Sequence, residues 1–251
     1  MQTNELISYL DGLLKPWLVK DYAPNGLQVE GKSDIRTIVT AVTADQYAVD
    51  RAVELGADCL LVHHGYFWKS EPAVITGMKQ RRLKALLSND INLIGYHLPL
   101  DIHPKLGNNA QLGQMLGINN IRPLEAGNDT CLVLRGELEP SLSGDALTKL
   151  LEQQLGRSPL HIAAHSRPIK TVAWCTGGAQ DYLDQVAAMG IDAFISGEVS
   201  ERTYHSAVEQ GTDYFSAGHH ATERGGIKAL GEHLASQFDV SVTFVDTPNP
   251  V

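Results

Sequence analysis

The feature that most constrains this chain is that it repeats itself. Residues 37–64 and 171–198 align without a gap, although only Thr37/Thr171, Gln46/Gln180, Asp50/Asp184, Gly56/Gly190 and Asp58/Asp192 are identical. The structural classes agree almost throughout. Each copy opens with a β-rich apolar run, turns at a helix start, runs through a helix with one apolar face, stops at glycine and resumes as a strand. Thr43 and Gln46 have the spacing of a capping box, and Gly177 and Gln180 take those places in the second copy. The predicted inward faces are Tyr47, Val49, Ala52 and Val53 against Leu183, Val186 and Ala187, with Gly56 and Gly190 in the left-handed position that ends each helix.

Residues 66–79 have no equal-length counterpart and shift the offset between the copies. Beyond them a second helix and strand lead to His97 and Asp101 in one copy and to His219 and Glu223 in the other, at identical spacing. The unit repeated is therefore a βαβ-αβ module. Alternating helix and strand predict an α/β fold of two similar halves with largely parallel sheets, buried on both faces and joined by right-handed crossovers. The expected divisions are a first half at 1–121, a small α+β insert at 122–170 and a second half at 171–251. Within the insert residues 131–138 read as a strand and 143–151 as a capped helix; near the start, Thr3 to Leu14 reads as a capped helix and residues 23–26 as a turn.

In parallel sheets ligands bind beyond the carboxyl ends of the strands, and the conspicuous polar residues fall there. His63 and His64 close the run Cys59-Leu60-Leu61-Val62; His97 and Asp101 follow residues 91–96; His219 and Glu223 follow residues 214–218. Neighbouring strand residues face opposite ways, so His63 and His64 share a site only if the strand ends there, and Gly65 permits the turn. Pro99 biases His97–Asp101 toward an extended loop. Ile227, Leu230 and Leu234 continue at helical spacing, which puts His219 and Glu223 on one helix face. One histidine is more often structural than a ligand, but three groups at equivalent strand ends argue for a site. His63, His64, Asp101, His219 and Glu223 exceed what one catalytic ion takes from protein, so two divalent ions bridged by a carboxylate and water are expected. Imidazole and carboxylate without thiolate suit zinc, manganese, iron, cobalt or nickel. His97 is the expected proton carrier, and Glu198, aligned with His64, is a further pocket carboxylate. Gly177-Gly178 lacks the lysine of a phosphate loop.

With 43% hydrophobic and 20% charged residues the chain is an ordinary globular protein, and the three cysteines form no pair of metal-ligand spacing. A formal charge of −9 disfavours nucleic acid and anionic membrane as partners, although Lys79, Arg81, Arg82 and Lys84 form a local basic stretch. No run is long enough to span a membrane and no leader pattern opens the chain, so the cytoplasm is the expected location.

The motifs DYAPNGLQVEG, LVHHGYFWK, YHLPLDIHPKLGNNAQL, WCTGGAQ, ISGEVSE and AGHHATERGGI together resemble the dinuclear metal-centre family often labelled type 2 homologues of GTP cyclohydrolase I. The resemblance spans nearly the whole chain and is weakest in the central insert. It implies metal ligands at His63, His64, Asp101, His219 and Glu223 with His97 beside them, and a ring-shaped homohexamer. It also implies an association with resistance to DNA damage and repair. The expected function is a dinuclear metal-dependent hydrolase acting on an unknown small molecule through a metal-bridging water. The rival is a noncatalytic metal-binding ring protein, with nucleic acid a partner that the net charge does not support.

Overall fold

In the computed structural model, which describes residues 1–251, the chain forms two compact units, residues 1–107 with 226–248 and residues 108–225 with 249–251. The first contains α1 (Thr3–Leu14), β1 (Gly26–Val29), β2 (Thr37–Thr43), α2 (Gln46–Glu54), β3 (Cys59–His64), α3 (Gly77–Ser88), β4 (Asn92–Gly95) and the short α4 (Leu98–Ile102). The second contains α5 (Asn108–Met115), β5 (Asn119–Pro123), β6 (Leu134–Leu142), α6 (Gly144–Leu155), β7 (Leu160–Ile162), β8 (Ile169–Cys175), α7 (Leu183–Ala188), β9 (Ala193–Ser196), α8 (Glu201–Gln210) and β10 (Asp213–Ser216). Helix α9 (His219–Gln237) begins in the second unit and continues into the first, where β11 (Ser241–Phe244) follows.

The first sheet has the order β1-β4-β3-β2-β11, parallel except for β1. Its strands alternate between two buried faces. Val39, Ala41, Leu60, Val62 and Leu93 pack with Ala48, Val49 and Ala52 of α2 and Leu83 and Leu86 of α3. Ile38, Val42, Cys59, Leu61 and Ile94 pack with Leu6, Leu10 and Leu14 of α1 and Ile227, Leu230 and Leu234 of α9. Covering both faces explains why β2 and β3 are nearly continuous in apolar residues.

The second sheet has the order β5-β6-β8-β9-β10-β7. Val172, Trp174, Ala193, Ile195 and Phe215 face Leu147, Leu151 and Leu155 of α6, and Ala173, Cys175, Phe194 and Tyr214 face Leu183 and Val186 of α7 and Ala207 of α8. Only β8, β9 and β10 are parallel here; β5, β6 and β7 pair antiparallel. The expectation of a largely parallel sheet therefore holds for the first unit and not for the second.

The duplication is visible in the register. Ile38, Val39 and Thr40 pair with Cys59, Leu60 and Leu61, and Val172, Ala173 and Trp174, each 134 residues on, pair with Ala193, Phe194 and Ile195. The observed units differ from the divisions expected at 121 and 170. The central segment is no separate insert, because β6 is hydrogen-bonded directly to β8. The carboxyl-terminal segment lies with the first half, because β11 pairs with β2.

Locally, α2 is capped by Asp45, whose carboxylate accepts the Ala48 N–H at 2.7 Å, and not by Thr43. Tyr47 is 46% exposed and Ala48 takes its place inside. Gly56 and Gly190 have φ of 61° and 68°, as their helix-ending role requires. Helix α1 has the expected bounds, and α6 is capped by Ser143.

Candidate metal centre

Strand β3 runs through His64, whose partner in β2 is Thr43. The strand ends at His64 with Gly65 next, as expected, although both histidines are still within it. Their imidazoles nevertheless converge, with ring centroids 4.5 Å apart, because at the last rung no further sheet separates the two faces. The next strand ends at Gly95 and places His97 with its ring 5.0 Å from that of His63 and 5.6 Å from that of His64. One donor atom from each of His63, His64 and His97 lies within 4.8 Å of the others, a spacing that can hold a metal ion.

Asp101 is on a helix, not on the extended loop expected from Pro99. His97 is the N-cap of α4 and Pro99 lies in its first turn, where the missing N–H costs nothing. The turn brings the Asp101 carboxylate 3.5 Å from His63 Nε2. His63, His97 and Asp101 are all buried.

In the second unit His219 and Glu223 lie one turn apart at the start of α9, with His219 Nε2 3.2 Å from Glu223 Oε2. Glu198, in the link after β9, accepts from His219 Nδ1 at 2.7 Å. Gly177 has φ 68°, and a side chain there would put Cβ 2.2 Å from Glu223 Oε1, so the pair depends on a glycine in the loop after β8. Thr222 accepts the Gly177 N–H at 3.1 Å and ties that loop to the helix. Burial alone would lower the His219 pKa, but hydrogen bonding and charge from Glu223, then from Glu198, push it up to about 9. Two carboxylates around one imidazole call for positive charge, which a proton or a metal cation can supply.

The four imidazoles share one arrangement. Nδ1 of His63 donates to the Tyr96 carbonyl at 3.1 Å, that of His97 to Asp21 at 2.9 Å and that of His219 to Glu198 at 2.7 Å, while that of His64 meets Thr43 Oγ1 at 3.1 Å. Holding Nδ1 in this way fixes the ring and turns Nε2 into the donor, the usual support of a metal-binding histidine. The donor chemistry therefore fits divalent cations that accept imidazole and carboxylate.

Asp21 is the residue of the candidate site that sequence reasoning missed. Besides His97 it accepts from the N–H groups of Tyr22, Ala23 and Leu98 and from the Asn25 amide, whose oxygen accepts the His97 N–H. Burial opposes its ionisation, yet the bonds from His97, Asn25 and Leu98 hold its carboxyl well below the usual range. The motif around Asp21 looked only like a turn. The equivalence of His97 with His219 is also one residue out. Gly95 and Ser216 both pair with strand residues 134 apart, Val62 and Ser196, so Gly218 occupies the place of His97.

A doubly covered α/β fold carrying buried imidazole and carboxylate donors beyond its parallel strands defines a class of α/β protein with a candidate metal centre. The chain belongs to the Duf34/NIF3 (NGG1p interacting factor 3) family, which it matches over residues 1–250. It is 56% identical over 253 residues to a Vibrio cholerae protein named GTP cyclohydrolase 1 type 2 homolog, with 100% of both chains covered. Among solved structures it is similar to protein ybgI, described as of unknown function, at 54% identity and TM-score 0.96 over 100% of both chains. It is also similar to a Thermus thermophilus protein at 34% identity and TM-score 0.91, again over 100% of both. No helix is long and apolar enough to cross a membrane.

Proposed function

We propose that the protein is a metal-dependent hydrolase that holds two divalent ions through His63, His64, Asp101, His219 and Glu223. The observation that carries this reading is the common support of the imidazoles, each held at Nδ1 by a polar group of the chain itself. Bound divalent cations supply Lewis acidity and lower the pKa of water at such a site. Zinc, manganese, iron, cobalt and nickel all suit the donors. His97 is the proton carrier of this reading. With Nδ1–H donated to Asp21, Nε2 holds the lone pair that accepts a proton, and the carboxylate steadies the imidazolium that forms. By family resemblance the working form is a cytoplasmic homohexamer, which light scattering tests directly.

Metal content measured by mass spectrometry, followed by a screen of the loaded protein against phosphoesters, nucleotides and cyclic amides, tests the function. A His97→Gln variant should keep its metal and lose about 10²–10⁴-fold in turnover of any responsive substrate. Unchanged turnover removes His97 from that role. Metal binding with no turnover anywhere in the screen leaves the noncatalytic reading.

A further inference from the structure

The two copies of the module differ in one link. After β9 the chain reaches α8 in four residues, 197–200, whereas after β3 it takes twelve, 65–76, to reach α3. A four-residue link suffices for the crossover, so the longer one is not required by the fold, and long loops beside strand ends commonly carry function. What it carries is aromatic. Trp68 sits edge-on to His97, centroids 5.0 Å apart at 79°, and 5.9 Å from His64. Tyr22, which follows the His97 partner Asp21, meets the same imidazole edge-on at 5.0 Å and 75°, and lies 5.6 Å from Trp68.

The loop is held in place at some cost. Phe67 has φ 64°, a left-handed conformation unfavourable for a bulky residue. It is maintained by the Glu71 carboxylate, which accepts the N–H groups of Phe67 and Trp68, and by the Trp68 indole N–H donating to the Gly65 carbonyl at 3.1 Å. Tyr22 is nonetheless 52% exposed. Trp68 is half-buried beside it, and an aromatic pair partly open to solvent and fixed beside polar donors has the composition of a small-molecule site, in which flat apolar surface takes the ligand and a few polar groups orient it.

We propose that Tyr22 and Trp68 form the face on which a planar heteroaromatic ring of the substrate stacks beside His64 and His97. The proposal rests on reading those imidazoles as part of the reaction site. It places a ring at the reacting end of the substrate and argues against acyclic phosphoesters as the recognised group.

The test is titration of the metal-loaded protein with guanosine, pterin and ribose, followed by calorimetry and by quenching of tryptophan emission, with the metal content of every sample measured in parallel. Guanosine or pterin should bind saturably and ribose should not. Trp68→Leu and Tyr22→Leu should each weaken ring binding about ten-fold, the size of one base–aromatic stack, at unchanged metal content, and Trp68→Phe should restore most of it. Ribose binding as tightly as guanosine, no ring binding to the wild type, equal ring affinity in wild type and Trp68→Leu, or loss of metal from Trp68→Leu would each overturn the proposal. Ring binding through Trp68 in a protein that holds no metal would instead sink the dinuclear reading and leave the aromatic face standing.

Discussion

Asp21 and Glu198 do the same job for different imidazoles, each accepting from Nδ1, at 2.9 Å for His97 and 2.7 Å for His219. If His219 is a ligand and His97 a proton carrier, removing the two charges gives opposite signatures. Glu198→Gln keeps the shape of a side chain that is 40% exposed, so folding should survive, but His219 loses its anionic partner and metal affinity should fall about 10–100-fold. Asp21→Asn should leave metal content near the wild-type value while turnover falls about 10²–10⁴-fold, because the tautomer of His97 is no longer dictated. Equilibrium dialysis against zinc and turnover of a responsive substrate separate the two. Metal loss in Asp21→Asn with normal metal binding in Glu198→Gln would reverse the assignment. Neither role could be read from local spacing, since Asp21 lies 76 residues from His97 in sequence and fold alone brings them together. Glu198 was noticeable only because the repeat aligns it with His64.

At the scale of the element, the identical pair Asp58 and Asp192 shows what the duplication conserves outside the site. Asp58 Oδ2 accepts the N–H groups of Arg36 and Thr37 at 2.9 and 3.0 Å, and Asp192 Oδ2 those of Lys170 and Thr171 at 3.1 and 2.9 Å. Each carboxylate thus fastens the start of one strand to the start of its parallel neighbour, at the end of the sheet away from the histidines. Burial raises both pKa values, but hydrogen bonds outweigh it: those from Lys32, Arg36 and Thr37 for Asp58, and those from Thr171, Lys170 and Arg167 for Asp192, so both stand lowered from 3.8. A depressed folded-state value contributes stability that is fully present above the unfolded value of 3.8 and is lost as pH falls through the folded one. Asp58→Asn and Asp192→Asn should each cost about 1.5–3 kcal/mol at neutral pH. Below pH 3.8 their urea midpoints should fall less steeply than that of the wild type; a parallel fall would show that these carboxylates do not set acid stability. The strand pairs they fasten were legible in the sequence, since a gapless repeat of β-α-β pattern predicts matching register. The partners of β11 and β6 were not, because an apolar strand pattern says that a sheet covers it and nothing about which one. Pro99 misled for a similar reason, as a residue that breaks a helix interior is welcome in a first turn.

For the molecule as a whole, His63, His64 and Asp101 belong to one compact unit, and His219 and Glu223 to the other. The excess of 29 acidic over 20 basic residues favours cations over phosphates at its surface. Asp101 and Glu223 are each less than a tenth exposed, and burying carboxylates is unfavourable unless positive charge or hydrogen bonds compensate. A metal that binds the folded chain and not the unfolded one adds stability by mass action, about 2.7 kcal/mol at a free concentration one hundred times Kd. For a chain of this length that corresponds to about 5–10 °C in Tm, at about 2–4 °C per kcal/mol. Chelation followed by scanning calorimetry should therefore lower Tm by that amount, and adding zinc or manganese back should restore it. Glu198→Gln, with its weakened site, should respond less to both treatments. If chelator leaves Tm unchanged in a protein shown to carry metal beforehand, the ions are not held by these buried donors, and the candidate centre has to be sought on the exposed carboxylates instead.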